Sequence, residues 1–187
     1  RGQHVSLAIA KCMECHGPDL GGAKFIDDPA LGSLSAPNIT SGKGGRLSAY
    51  DDAALERLLR HGIKADGHPA LVMPSEVFAN LSDEDLASVI AYLRTLTPVD
   101  REPGGKNLKL LARALLTFGV MKHGYDQIDH AKAHVTTVAP SVTPEYGKYL
   151  VEVAGCTACH GPGLSGGKIP GAPPEFKPAS NLTPKGI

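Results

Sequence analysis

Two C-x-x-C-H motifs constrain the fold more than any other feature of this 187-residue sequence. The first runs from Cys12 to His16 in "KCMECHGPDLGGAKF", and the second from Cys156 to His160 in "GCTACHGPGLSGGKI". After each histidine, glycine, proline, leucine, glycine and lysine follow in the same order and at the same spacing. All four cysteines of the chain belong to these motifs, so none is left for a separate disulfide framework.

The repeated motif favours two small modules over one domain, and the length allows either. Tryptophan is absent, and aromatic residues make up only 5% of the chain. So few large aromatic side chains would fill two small hydrophobic cores incompletely. We therefore expect a large bound cofactor to fill part of each module.

Charge and hydropathy exclude several classes of protein. Lysine plus arginine number 19 and so do aspartate plus glutamate, so no basic field indicates a nucleic-acid partner. No run approaches the roughly 20 apolar residues that a membrane-spanning helix needs. The sequence shows no initiator methionine and no signal-like segment, which we interpret as a mature or trimmed product.

The first module, residues 1–98, is predicted to be helical. Apolar periodicity and capping residues predict three helices, from about Gly2 to Met13, from Ser48 to Gly62, and from Ser82 towards Pro98. The glycine-rich and proline-rich segment Gly17–Thr40 predicts an ordered loop. Because no segment predicts a confident strand, the expected fold class is all-α.

Residues 99–142 are predicted to be a linker, and residues 143–187 a second module. Within the linker, "LKLLARALLTFGVMK" predicts a short apolar helix that either packs between the modules or docks on a membrane surface or partner subunit. Thr143 is a plausible N-cap with proline at the first helical position. Later, "SNLT" at Ser180–Thr183 echoes "PNIT" at Pro37–Thr40. We expect these residues to form only the first half of the second module, because no counterpart of the later helices is seen within them.

The spacing of each C-x-x-C-H motif suits covalent haem attachment. Each thiol would add to one vinyl group, and the histidine would lie under the iron as its proximal ligand. Structural zinc also uses paired C-x-x-C motifs, but those pairs lie roughly 15 to 20 residues apart, whereas these lie about 140 residues apart. Thioredoxin-like dithiol chemistry requires an α/β setting, and the sequence predicts none.

Met73 in "GHPALVMPSEVF" is the candidate sixth ligand of the first iron. It lies between two predicted helices, and a soft thioether favours ferrous iron. Met13 lies between the two cysteines and therefore cannot reach the opposite face of the haem to bind the iron. The alternative is that Met73 fills the core, as methionine more often does.

With the motif "APNIT", "MP" and "LSDEDLASVIAYLRTL", the sequence resembles class I cytochrome c. The duplication is similar to multi-haem cytochrome subunits of membrane-bound bacterial dehydrogenases and to diheme c-type carriers. The resemblance implies that Cys12, Cys15, Cys156 and Cys159 attach haem c, and that His16, Met73 and His160 ligate iron. It also implies that the last helix packs across the first, with Leu86, Val89, Ile90, Tyr92 and Leu93 closing the pocket.

The second module departs from the family pattern because no methionine follows Cys156. Either the sequence stops before the distal ligand, or the second haem is open or differently ligated. In the latter case, a linker residue such as Met121, His123, His130 or His134 could supply the ligand. His130 and His134 also have the spacing of a helical metal pair, although a solvated pair is the simpler interpretation, and His4, His61 and His68 are interpreted as ordinary surface or loop residues.

These features predict a diheme electron carrier with no catalytic residues of its own. The resemblance implies a dehydrogenase subunit as donor and a respiratory cytochrome or oxidase as acceptor. It also implies a bacterial periplasmic location, with peripheral association with the membrane. The alternatives are a haem enzyme, of the diheme peroxidase or thiosulfate-oxidising type, and a sensor in which an open second haem binds a gas.

Overall fold

The computed structural model describes residues 1–170, 172 and 175–186. The chain divides into two compact units, Arg1–Thr137 and Val138–Ile187. Each unit contains one C-x-x-C-H motif.

Most of the regular secondary structure in the first unit is helical. Its helices are α1 (Gly2–His4), α2 (Cys12–His16), α3 (Asp52–His61), α4 (Ser75–Phe78), α5 (Asp83–Arg94) and α6 (Leu110–Thr117). A π-helical turn spans Val5–Ile9, and 3-10 turns span Leu47–Ala49 and Gly124–Gln127. The predicted start of α5 is confirmed, because the Ser82 side chain caps it by accepting a hydrogen bond from Asp85 N at 3.2 Å. Asp51 caps α3, three residues after the predicted Ser48.

The predicted continuous helix from Gly2 to Met13 is wrong. The helical path breaks at Lys11, which adopts the left-handed conformation with φ of 52°. Helix α2 then begins at Cys12. The apolar periodicity did not reveal this break; Val5 is buried before it, whereas no residue of α2 is buried.

The all-α prediction is corrected by a small antiparallel sheet. Strands β1 (Ala23–Asp28) and β2 (Gly32–Ala36) form a hairpin, and β3 (Lys106–Leu108) pairs with β2. The Asp28 Oδ1 atom accepts hydrogen bonds from Ala30 N and Leu31 N at 2.7 Å and so holds the turn. The partner β3 lies some 70 residues away in sequence, which is why local patterns did not reveal the sheet.

Part of the core of the first unit lies between the N-terminal segment and α5. Leu86, Val89, Ile90 and Leu93 are buried as predicted, and Tyr92 is half-buried. Helix α1 packs across α5, as the resemblance implied. The crossing is close at Gly2, where an added Cβ would collide with the Ser88 carbonyl.

Helix α6 is shorter than predicted, with eight residues from Leu110 to Thr117. Ala112 is buried, but Leu110 and Phe118 are more than 80% exposed. Within the described part of the chain, no helix is long and apolar enough to cross a membrane.

The second unit contains α7 (Pro144–Val153) and α8 (Thr157–His160). The predicted cap of α7 is confirmed, because Thr143 Oγ1 accepts a hydrogen bond from Tyr146 N at 3.3 Å. Val153 is buried, and the predicted apolar stripe, which also includes Tyr146, Tyr149 and Leu150, lies on the covered face.

Candidate functional site

The first candidate site is organised around the imidazole of His16. Its Nδ1 atom lies 2.8 Å from the Pro37 carbonyl oxygen. Because a carbonyl only accepts hydrogen bonds, Nδ1 carries the proton and Nε2 keeps its lone pair. Burial lowers the pKa of His16, although the hydrogen bond to Pro37 opposes this effect. The ring is therefore a neutral imidazole whose Nε2 atom has a free lone pair.

A tight loop after α2 fixes the position of this histidine. Leu20 N donates to Gly17 O at 3.0 Å, and Gly22 N donates to His16 O at 2.7 Å. Leu20 has a φ of 58° and is almost fully buried. The loop therefore folds back under the histidine, and Ile39 N donates to Leu20 O at 3.0 Å to bring Pro37 alongside.

The second unit repeats this geometry bond for bond. His160 Nδ1 lies 2.8 Å from the Ser180 carbonyl oxygen, and Gly166 N donates to His160 O at 2.9 Å. Leu164 has a φ of 55°, and its carbonyl accepts from Leu182 N at 2.8 Å. The sequence repeat is thus a structural repeat, in which Ser180 supplies the carbonyl that Pro37 supplies in the first unit.

Asn38 and Thr40 form a buried network next to the first site. Both side chains are fully buried. Asn38 Oδ1 accepts from Thr40 N at 2.9 Å and from Thr40 Oγ1 at 2.8 Å. Asn38 Nδ2 donates to the carbonyls of Val99 at 2.6 Å and Arg101 at 3.1 Å. The network ties the segment that holds His16 to the chain that follows α5.

The same turn occurs in the second unit. Asn181 Oδ1 accepts from Thr183 N at 2.8 Å and from Thr183 Oγ1 at 2.7 Å. Sequence reasoning noted the echo of "PNIT" in "SNLT" but gave these residues no role. The signal was present, because an asparagine two residues before a threonine matches a side-chain-stabilised turn.

The cysteine side chains differ between the two units. Cys12 and Cys15 are half-buried, and burial raises the pKa of Cys12 to about 11 and also raises the pKa of Cys15. Both are therefore thiols and not thiolates at neutral pH. In the second unit, Cys156 is half-buried and Cys159 is exposed. All four cysteines are free of disulfide bonds and remain available for attachment.

Met73 lies on the loop between α3 and α4 and is half-buried. Its carbonyl accepts a hydrogen bond from Ser75 N at 2.8 Å. Ser75 is buried, and its Oγ atom donates to the Leu58 carbonyl at 3.2 Å. The loop that carries the thioether is thus fastened to α3.

The donor set of the first unit fits covalent haem. Two thiols precede an imidazole whose orientation is fixed through Nδ1, and the unit also contains a methionine on a fastened loop. This combination of soft and imidazole donors suits iron in haem. Among the described residues, no group of three or more His, Cys, Asp or Glu side chains is arranged to hold a metal ion directly.

Three histidines interpreted as ordinary solvated residues lie together in the first unit. His61 Nδ1 lies 2.9 Å from His130 Nδ1, and the two rings are stacked with centroids 5.2 Å apart. The His134 ring lies 6.2 Å from that of His61, and its Nδ1 atom lies 3.2 Å from Arg60 Nη1. The contacts join residues some 70 positions apart, so sequence reasoning missed them.

The other linker candidates for a second axial ligand also lie in the first unit. His123 Nδ1 donates to the Leu71 carbonyl at 3.4 Å. Met121 follows α6, and its backbone N donates to Leu115 O at 3.0 Å.

A cleft of about 480 Å³ borders the Asn38 network. Its walls carry one guanidinium and one carboxylate, which gives it no net charge. The cleft is lined by Pro37, Asn38, Gly44, Gly45, Arg46, Glu102, Pro103 and Gly104. These residues include none of the candidate ligands, so the cleft is distinct from the attachment site.

The fold and the donor set define a c-type haem protein. A family model for cytochrome c matches residues 1–97, and the chain belongs to the cytochrome c family. Members of this family bind haem c covalently and transfer electrons through it, so both properties apply to this chain.

Several relatives are cytochrome subunits of bacterial dehydrogenases. The chain is similar to the fructose dehydrogenase cytochrome subunit of Gluconobacter japonicus, with 33% identity over 172 residues, which is 87% of this chain and 34% of the relative. It is 26% identical to the gluconate 2-dehydrogenase cytochrome c subunit of Pantoea cypripedii, over 87% of this chain and 37% of the relative.

A further relative is a "Diheme cytochrome c-type" protein of Cereibacter sphaeroides, which is 27% identical over 87% of this chain and 56% of the relative. The chain therefore spans between about one third and just over half of the length of these curated relatives.

Proposed function

We propose that this chain is a diheme electron-transfer protein that serves a dehydrogenase. Cys12 and Cys15 attach the first haem, and Cys156 and Cys159 attach the second. His16 and His160 are the proximal iron ligands, and Met73 is the sixth ligand of the first iron. The observation that carries the proposal is the repeated 2.8 Å contact of each histidine Nδ1 with a loop carbonyl.

In this proposal, residues 1–98 form the first haem module, residues 99–142 connect the modules, and residues 143–187 form the N-terminal half of the second. The two motif regions share the same backbone hydrogen bonds after the histidine. The relative from Cereibacter sphaeroides is described as diheme, which also supports a count of two.

The protein residues tune the chemistry and do not break substrate bonds. Bound haem supplies a one-electron couple between ferrous and ferric iron. Each Nδ1–H to carbonyl hydrogen bond orients the imidazole and increases the basicity of Nε2. The thioether of Met73 favours ferrous iron and so raises the potential of the first site.

The donor in this proposal is a dehydrogenase subunit, and the acceptor is a respiratory cytochrome or oxidase. The names of the fructose and gluconate dehydrogenase relatives support the donor class. The location proposed is the bacterial periplasm, with peripheral attachment to the membrane through partners. Contacts with redox partners are expected to be small and transient, below about 1,200 Å².

The intact mass of the denatured holoprotein tests the proposal, because a thioether-linked haem remains attached after denaturation. We expect the polypeptide plus two haems. Replacing Cys12 and Cys15 by alanine should remove one haem, and replacing Cys156 and Cys159 should remove the other. A wild-type mass with one haem would refute the diheme assignment, and a mass with none would refute covalent attachment.

A further inference from the structure

A segment beyond the family match wraps across the first unit. Residues His123–Thr137, here called the strap, follow α6 and run against α3, the Met73 loop and the start of α5. Asp83 N donates to Val135 O at 3.0 Å, and Glu84 N donates to Thr136 O at 3.1 Å. Lys132 Nζ donates to Asn80 Oδ1 at 3.2 Å. The strap is thus hydrogen-bonded along its length.

The first turn of the strap lies directly on the Met73 loop. Gly124 is buried, and a Cβ added there would lie 3.0 Å from Met73 O and would collide with Glu76 Oε2. His123 contacts the Leu71 carbonyl on the other side of the loop. The strap therefore limits how far the segment that carries Met73 can move outward.

A pair of histidines fastens the strap to α3. His130 Nε2 lies 3.1 Å from the Tyr125 carbonyl, so this nitrogen carries a proton. The 2.9 Å contact between His61 Nδ1 and His130 Nδ1 then requires one proton between the two nitrogens. The pair is satisfied when both rings are neutral or when one is protonated. With both rings protonated, two N–H groups would face each other and the contact would be lost.

The surroundings of His61 oppose its protonation. Arg60 Nη1 donates to His134 Nδ1, which must therefore be unprotonated in this contact. Burial lowers the pKa of His61, and the neighbouring His130, His134 and Arg60 act in the same direction, whereas Glu56 opposes them. Asp83 pairs with Arg60 at 2.5 Å, and the Tyr125 ring contacts His130. If both His61 and His130 carried two N–H groups, their contact would be lost and positive charge would accumulate beside Arg60.

We propose that the strap is a positioning element for the Met73 loop, and that the shared proton of the His61–His130 pair keeps it closed. The strap is closed at neutral pH and loosens when both histidines are protonated. Its effect on iron ligation rests on the proposed function, in which Met73 is the sixth ligand of the first iron.

The contact of Gly124 with the Met73 loop is tested by Gly124→Ala in the holoprotein. The matched control is Gly105→Ala, because an added Cβ at Gly105 meets nothing within 4 Å. We expect Gly124→Ala to weaken the methionine-to-iron charge-transfer band of the oxidised protein and to increase hydrogen exchange of residues 71–76 at least tenfold. The control should match wild type. Unchanged band and exchange in Gly124→Ala would overturn the positioning role.

The histidine fastening is tested by hydrogen exchange of the strap and of Asp83 and Glu84 at neutral and acidic pH, corrected for intrinsic rates. We expect at least tenfold loss of protection on acidification of wild type. His61→Asn should reduce this loss, because the asparagine amide can donate to or accept from His130 but does not titrate. His68→Asn is the control, since His68 lies in an exposed loop beside Asp66, and should behave as wild type.

The outcomes separate the strap from the proposed function. If protection is independent of pH, or if His61→Asn and His68→Asn respond alike, the histidine fastening is refuted. A wild-type protein that lacks the methionine band refutes Met73 ligation. In that case, exchange of residues 71–76 in Gly124→Ala still decides whether the strap holds the loop.

Discussion

Replacing Asn38 by alanine should destabilise the first unit strongly. The Asn38 side chain is fully buried and makes four hydrogen bonds, two as acceptor from Thr40 and two as donor to the carbonyls of Val99 and Arg101. Its removal leaves these groups without that partner in the interior. The alanine cannot replace any of these bonds.

The expected magnitude follows from the number of groups left unpaired. A buried polar group that loses its partner costs about 1–3 kcal/mol. Thr40 Oγ1 retains its bond from Val99 N at 3.0 Å, which reduces the loss. We therefore expect Asn38→Ala to lower the unfolding free energy of the first unit by about 4 kcal/mol. This is a large part of the roughly 5–15 kcal/mol that stabilises a typical domain.

Asn181 provides a matched control in the second unit. It accepts the corresponding two hydrogen bonds from Thr183 but is only half-buried, so water can replace part of the loss. Asn181→Ala should cost about 1 kcal/mol.

Urea titration followed by pulsed hydrogen exchange would measure both variants, because peptides from the two units are resolved separately. If Asn38→Ala lowered the unfolding free energy by less than about 1 kcal/mol, or if both variants lowered it equally, the Asn38 network would not be what holds the loop beside His16.

Five further substitutions, arranged in three tests, probe local features by the same urea titration. Lys11 and Gly155 both have positive φ, of 52° and 67°. Lys11→Gly should therefore stabilise the first unit by about 1 kcal/mol, and Gly155→Ala should destabilise the second unit by a similar amount. Changes in unfolding free energy of the same sign for both variants would contradict this prediction. Burial raises the pKa of Glu76 above 4.5, so wild-type stability should fall as pH rises through the interval above that value. Glu76→Gln should therefore stabilise at neutral pH, and the gain should vanish below pH 4.5; a gain that persists in acid would contradict the titration. Gly2→Ala should lower the unfolding free energy of the first unit by about 3 kcal/mol, because the helix crossing is crowded there. Gly147→Ala, where an added Cβ meets open space, should raise the unfolding free energy of the second unit by about 1 kcal/mol. Similar effects of the two substitutions would contradict the close packing at Gly2.

Local signals predicted the starts of α5 and α7 correctly. The cap at Ser82 and the apolar residues of α5 follow from side chains within a few positions of one another, and the structure confirms them. The cap at Thr143 is confirmed for the same reason. The C-x-x-C-H motifs were also visible because the reacting groups are adjacent in sequence.

Features that depend on distant segments were missed. Strand β3 pairs with β2 across some 70 residues, and neither segment has a strong strand pattern. The contact of His61 with His130 also depends on how the strap returns to α3. The break at Lys11 was missed for another reason, since a lysine in the left-handed conformation is unusual and no sequence pattern signals it.

The first functional unit is defined by hydrogen bonds that extend beyond the sequence motif. The family match ends at residue 97, yet Arg101 holds the loop after His16 at two points. Its carbonyl accepts from Asn38, and its guanidinium pairs with Asp19 at 2.7 Å. Because Asn38 follows directly after Pro37, whose carbonyl orients His16, the position of the His16 imidazole depends on residues outside the motif. Val99 and Arg101, which follow α5, therefore help to hold the loop that positions His16.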